Sequence, residues 1–197
     1  MLKKENNLNS RGYKNIAGLD EAGRGPLAGP VVASCVILKK YDFSNRIYDS
    51  KALTRKAREL AYDEIIKNSC YGVGIVEHSL IDKINILQAS ARAMELAVED
   101  MGVEPDYLLV DGQLPLQIYC NKEYIPKGDQ KSLSIASASI IAKVTRDRIM
   151  EDYDKIYPNY GFAKHKGYGT KFHCEALKEH GPCPIHRRSF SPVARLI

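Results

Sequence analysis

Two apolar runs do most to limit what this chain can fold into: Ile16 to Asp20, and Val31 to Leu38 (VVASCVIL), joined by EAGRGPLAGP. Both runs read as buried strands, and the glycines and prolines between them force a tight connection. A third strand is expected over Tyr71 to Glu77 (YGVGIVE), which alternates. Helical patterns surround these strands. Thr54 is placed to N-cap a helix over Arg55 to Asn68, with Leu60, Ile65 and Ile66 on its apolar side. Ile84 to Met101 repeats apolar residues at helical spacing. Tyr107 to Val110 is a short strand ending in Asp111-Gly112, and another strand is expected near Glu123 to Ile125. Ser134 to Ile156 is the longest helical run, stopped by Pro158. Its Ala136, Ser137, Ala138 and Ser139 are small enough to pack closely on a sheet. A last helix spans Thr170 to His180, with Gly181 just past its end. Three early strands followed by alternating helices and strands predict an α/β protein, a mixed sheet covered by helices. Lys3 to Tyr13 is polar and aperiodic and reads as a loose tail.

The 197 residues, 44% hydrophobic and 27% charged, suit one domain with a substantial core. Nothing approaches the roughly 18 consecutive apolar residues of a membrane span. The start carries charge with no apolar stretch behind it, so no secretory signal is expected and the cytoplasm is the expected compartment. The five cysteines are odd in number and form no C-x-x-C pair. Cys35 and Cys70 read as small buried hydrophobes. Cys174, His180, Cys183 and His186 match no common zinc spacing, and the segment reads as a Pro- and Gly-interrupted surface loop. Net charge is +5 and unevenly spread: residues 1–121 carry 15 Lys and Arg against 16 Asp and Glu, residues 122–197 carry 14 against 8. A basic half beside a balanced half suits a one-sided polyanion-binding surface, although a plain solvated basic face fits as well.

Acids at the ends of apolar strands are the main chemical clue. Asp20-Glu21 closes the first strand and Asp111 closes YLLV. A strand's C-terminal end faces the crevice where open α/β sheets bind ligands. Carboxylates gathered there repel one another and call for hard cations with oxygen ligands, such as Mg²⁺. Neighbours in a regular strand point to opposite faces, so Asp20 and Glu21 can share a site only if the strand twists or ends there. Gly23-Arg24-Gly25 offers bare backbone that a ligand can approach, or an ordinary turn. It lacks the Lys and the following helix of a nucleotide-phosphate loop. Asp129, in KGDQKS, is either a fourth metal carboxylate or a solvated turn. Tyr168, in HKGYGTKFH, sits among Lys164, Lys166 and Lys171 and suits stacking on a sugar or base. No metalloprotease or Ser/Cys nucleophile signature occurs.

IAGLDEAGRGPLAGPVV, DSKALT, INILQA, LLVDG, KGDQKSLSIASASIIAKVTRDR, HKGYGT and HRRSF resemble, in order and spacing, the ribonuclease HII family, from Ile16 to Phe190. The resemblance is to the bacterial rather than the archaeal members, and less to the sister ribonucleases HIII. It implies a ribonuclease H-like α/β fold, with a central mixed five-stranded sheet flanked by helices and a small C-terminal helical segment. The units implied are a tail over 1–14, a catalytic core over 15–160 and a substrate-binding C-terminal segment over 161–197. Asp20, Glu21, Asp111 and Asp129 are implied as catalytic metal-site acids for Mg²⁺ or Mn²⁺. Gly23, Arg24 and Gly25 correspond to the motif that meets the 2′-hydroxyl, and Tyr168 to the tyrosine that packs on the neighbouring deoxyribose. Lys51, Lys143 and Arg146 are similar to phosphate-contacting or structural positions. The activity implied is cleavage of RNA in RNA–DNA hybrids, and 5′ of single ribonucleotides in duplex DNA, by two-metal hydrolysis. The expected partner is that nucleic acid, bound by a monomer with no membrane association; no replication or repair protein is identified. Two other classes fit part of the pattern. A two-metal nuclease indifferent to ribose needs the acids but not the GRG turn or Tyr168. A non-catalytic binding module explains the charge but not four acids.

Overall fold

In the computed structural model, which describes residues 1–50 and 52–197, five strands form one sheet in the order β3-β2-β1-β4-β5. β1 is Ile16–Ala22, β2 Val31–Leu38, β3 Ser69–Val76, β4 Tyr107–Asp111 and β5 Asn121–Ile125. β1 pairs antiparallel with β2, and β2 with β3, whereas β4 runs parallel to β1 and β5 to β4. The expected mixed five-stranded sheet is therefore present. All eight residues of β2 are buried, because helices cover both of its faces.

On one face lies α3 (His78–Asp100), over a core that includes Ala17, Leu19, Ala33, Cys35, Leu108 and Val110. On the other lies α4 (Leu133–Ile156), whose Ala136, Ala138, Ile140 and Ile141 pack with Val36, Leu38 and α2 (Arg55–Lys67). Burying a side chain such as Leu19 in these layers contributes roughly 1.5–3 kcal/mol. Two glycines let helix backbone touch strand. A Cβ on Gly18 would stand 2.0 Å from the Ser134 carbonyl carbon of α4, and one on Gly74 1.9 Å from the Ala93 oxygen of α3.

The helix ends follow local chemistry. Thr54 and Thr170 each accept a hydrogen bond from an amide of the first turn, capping α2 and α6 (Lys171–His180). Ser132 caps α4 in the same way. Within α3, Asn85 breaks the helix with φ 65° and ψ 165°. Its Oδ1 accepts from the amides of Leu87 and Gln88, so the periodic stretch expected from Ile84 starts at a cap inside a longer element.

The amino terminus departs from expectation. Lys3–Ser10 forms α1, with Leu8 buried beside Ile16 and Leu109, rather than a loose tail. Glu5, fully buried, accepts from the Ser132 hydroxyl and the Ser134 amide at the start of α4. Docking of two side chains, invisible to a periodicity test, orders this segment. Past α4, the short helix α5 (Phe162–His165), α6 and α7 (Ser191–Ala194) surround a further cluster that includes Leu27, Ala28 and Met150. Cys183 and His186 belong to this buried region and not to a surface loop. The reason is a hydrogen-bond chain: His173 Nδ1–H donates to the Tyr168 carbonyl (2.9 Å), His186 Nε2–H to His173 Nε2 (3.0 Å), and the Cys183 thiol to His186 Nδ1 (3.1 Å). All five cysteines are free. No described helix is long and apolar enough to cross a membrane.

Candidate active site

Parallel pairing of β1 with β4 puts their C-terminal ends at one edge of the sheet, with Leu19 opposite Val110. The next residues, Asp20 and Asp111, thereby become neighbours. Beyond β5, a 3₁₀ turn over Gly128–Gln130 closes the same edge, and the Gly128 amide donates to Asp111 Oδ1 at 2.6 Å. Asp20, Glu21, Asp111 and Asp129 all line one cavity of about 570 Å³. Glu21 lies on the opposite parity from Asp20, yet β1 ends at Ala22 and both acids reach the cavity from that end.

Burial is the largest influence pushing the Asp20 carboxyl well above its ordinary pKa, followed by the charges of Glu21 and Asp111. Hydrogen bonds from the Ser139 hydroxyl and the Glu21 amide offset part of this. Glu21 is also raised, chiefly by burial and further by Asp111, while Arg24, 3.4 Å from its Oε1, pulls the other way. Glu21 Oε2 is buried with no hydrogen-bond partner. Crowded, desolvated carboxylates with an unsatisfied oxygen fit a hard divalent cation, which takes oxygen ligands and relieves their repulsion. Among the described residues, no three Asp, Glu, His or Cys side chains already converge on a point in ligand geometry. The fit rests on donor chemistry and shared location.

The other wall of the cavity comes from two loops distant in sequence. Gly23 has φ +99°, and a Cβ there would meet Arg146 Nε at 2.0 Å. Gly25 faces the ring of Tyr168, whose Cε1 would stand 3.4 Å from a Cβ on that glycine. The Leu27 amide donates to the Gly167 carbonyl at 2.8 Å, tying the two loops together. The GRG turn and Tyr168, 43% exposed, thus meet beside the four acids.

The basic residues divide. Lys164 is exposed and makes no ion pair among the described residues. Lys166 Nζ pairs with Glu151 at 2.7 Å and also donates to the Ala163 carbonyl. Lys143 donates to Asp147 at 2.6 Å, and burial lowers its pKa. Arg146, expected at a phosphate-contacting or structural position, is 1% exposed, with its guanidinium donating to the carbonyls of Ala28, Pro30 and Lys166. Its donors are taken up by backbone, so its part is to hold loops. Lys51 lies outside the described residues. Sequence reasoning missed Arg187, which is fully buried and bonded to the GRG turn; its only signal was the HRRSF block. Arg58 and Asp147 also line the cavity without having been singled out, as does Ser139, which was expected only to pack on the sheet.

The family model described as ribonuclease HII matches residues 17–193. The ribonuclease HII of Bacillus pumilus (strain SAFR-032) is 55% identical over 199 residues, spanning 100% of this chain and 78% of that protein. Among solved structures, ribonuclease H2 from Pyrococcus horikoshii OT3 has a TM-score of 0.79 at 28% identity, over 93% of this chain and 97% of that one. The RNase HII of Archaeoglobus fulgidus, solved as a complex with PCNA, has a TM-score of 0.76 at 27% identity, over 90% and 96% of the two chains.

Proposed function

The chain belongs to the ribonuclease HII family, hydrolases that cut the RNA strand of RNA–DNA hybrids, and from that premise we propose that it also cuts 5′ of single ribonucleotides embedded in duplex DNA. The observation that carries this reading is the meeting of the GRG turn and the Tyr168 ring beside the acids. A backbone turn and an exposed ring suit recognition of sugar rather than base, and the 2′-hydroxyl is what separates RNA from DNA at one nucleotide.

In this reading Asp20, Glu21, Asp111 and Asp129 hold two divalent ions, Mg²⁺ or Mn²⁺. When bound, such ions supply an activated water and stabilise the charge that develops on the phosphate and the departing 3′-oxygen. The Gly23–Gly25 backbone meets the 2′-hydroxyl, and Tyr168 packs on the following deoxyribose. Lys164 meets the phosphate backbone, and Lys143, paired with Asp147, lies along the same wall. The products are a 3′-hydroxyl and a 5′-phosphate. Residues 15–160 act as the catalytic core and 161–197 as the segment that adds Tyr168 and Lys164. The enzyme works as a monomer in the cytoplasm, removing ribonucleotides from DNA.

A labelled duplex with one ribonucleotide, compared with its all-DNA twin under Mg²⁺, tests this directly. Only the ribonucleotide duplex should be cut. Tyr168→Ala should slow that cut by an amount worth roughly 1–3 kcal/mol of lost stacking, and Tyr168→Phe by much less. Equal cutting of both duplexes, or of neither, would overturn the reading.

A further inference from the structure

Arg146 and Arg187 are both completely buried, and neither has a carboxylate within ion-pair distance among the described residues. Asp147 and Asp82 act on them only from further off. Burial lowers Arg146 to a pKa of about 10 and Arg187 to about 9, so both stay charged at neutral pH. Their partners are carbonyl oxygens. Arg187 Nη2 donates to Gly23 (2.6 Å) and Pro30 (3.1 Å), Nη1 to Arg24 (3.0 Å) and Nε to Gly29 (3.0 Å). Arg146 Nε shares the Pro30 oxygen at 2.9 Å, and Nη1 holds the Lys166 carbonyl of the Tyr168 loop at 2.9 Å. Desolvating two cations is costly, and carbonyl dipoles repay it only where the geometry is close.

The consequence follows from the planarity of the trans peptide, which sets N–H opposite C=O. Drawing the Gly23 carbonyl inward turns the Arg24 amide outward. Drawing the Arg24 carbonyl inward does the same for the Gly25 amide. Neither amide donates to any acceptor among the described residues, both residues are exposed, and both line the cavity. Arg187 therefore aims two free donors, and Arg146 fixes the Tyr168 loop to the same frame.

We infer that Arg187 is a specificity-determining positioning residue, which orients the Arg24 and Gly25 amides toward the ribose hydroxyl while Arg146 holds Tyr168 in register with them. This rests on the reading of the GRG turn given under Proposed function. A lysine keeps the charge but lacks the fork that reaches four carbonyls. Arg187→Lys should therefore raise KM for the single-ribonucleotide duplex about tenfold, with a much smaller change in kcat. A residue that merely kept the chain folded would behave differently: its loss would lower apparent kcat with the folded fraction and leave KM alone. Hydrogen exchange supplies a second readout, since the variant should lose protection in the peptides covering both the GRG turn and the Tyr168 loop. Should Arg187→Lys fold too poorly to assay, Arg146→Lys is expected to raise KM likewise. Wild-type discrimination with KM unmoved in the folded variant overturns this inference alone. A wild-type enzyme that treats the ribonucleotide duplex and its DNA twin alike overturns the reading beneath it.

Discussion

At the scale of single residues, the acids were the legible part of the site. Charge at the end of an apolar strand is conspicuous in a sequence, and Asp20, Glu21, Asp111 and Asp129 do line one cavity. The buried arginines were not legible, because nothing in TRDR or HRRSF separates a side chain that faces water from one spent on carbonyls. Arg146 accordingly stood between a phosphate contact and a structural part, and Arg187 carried no expectation beyond its block. The raised carboxyl of Asp20 leads to a prediction. Asp20→Asn, or Asp111→Asn, should abolish cleavage, while Asp20→Asn should also raise Tm at neutral pH in chelator, because one member of a repelling, desolvated set is removed. Calorimetry beside a cleavage assay checks both halves; near-normal turnover in either variant would remove that acid from the metal site.

At the scale of elements, strands and long helices were readable from period and caps, whereas α1, α5 and the buried histidine segment were not. Their order comes from contacts with distant residues, such as Glu5 with Ser132 and His186 with His173. The histidine chain has a pH signature. Only one proton fits between His173 and His186, and burial depresses both from 6.5 to about 4. The unfolded chain takes up these protons near pH 6.5 while the folded one refuses them until about 4. This contribution to stability is therefore complete above 6.5 and lost as pH falls toward 4. A glutamine at 173 escapes part of that loss, so the Tm gap between wild type and His173→Gln should narrow as the medium is acidified across this window. A gap of constant width would contradict the account.

At the scale of the whole molecule, the excess of basic residues beyond Asn121 hinted at a polyanion-facing side, but charge counts cannot tell a free lysine from a paired one. Lys164 is exposed, and Lys166 is held by Glu151. Lys164→Ala should reduce the slope of log affinity against log salt by about one counterion, measured by anisotropy on a duplex in chelator, whereas Lys166→Ala should chiefly lower Tm. An unchanged slope for Lys164→Ala would move the binding face elsewhere. The fastening of the GRG turn by Arg187, more than 160 positions downstream of Gly23, also orders events in time. A ribosome delivers the five strands, and with them Asp20, Glu21 and Asp111, well before it delivers the side chain that sets the turn. In biosynthesis, the four acids proposed to hold metal therefore emerge before the arginine proposed to aim the turn at a sugar.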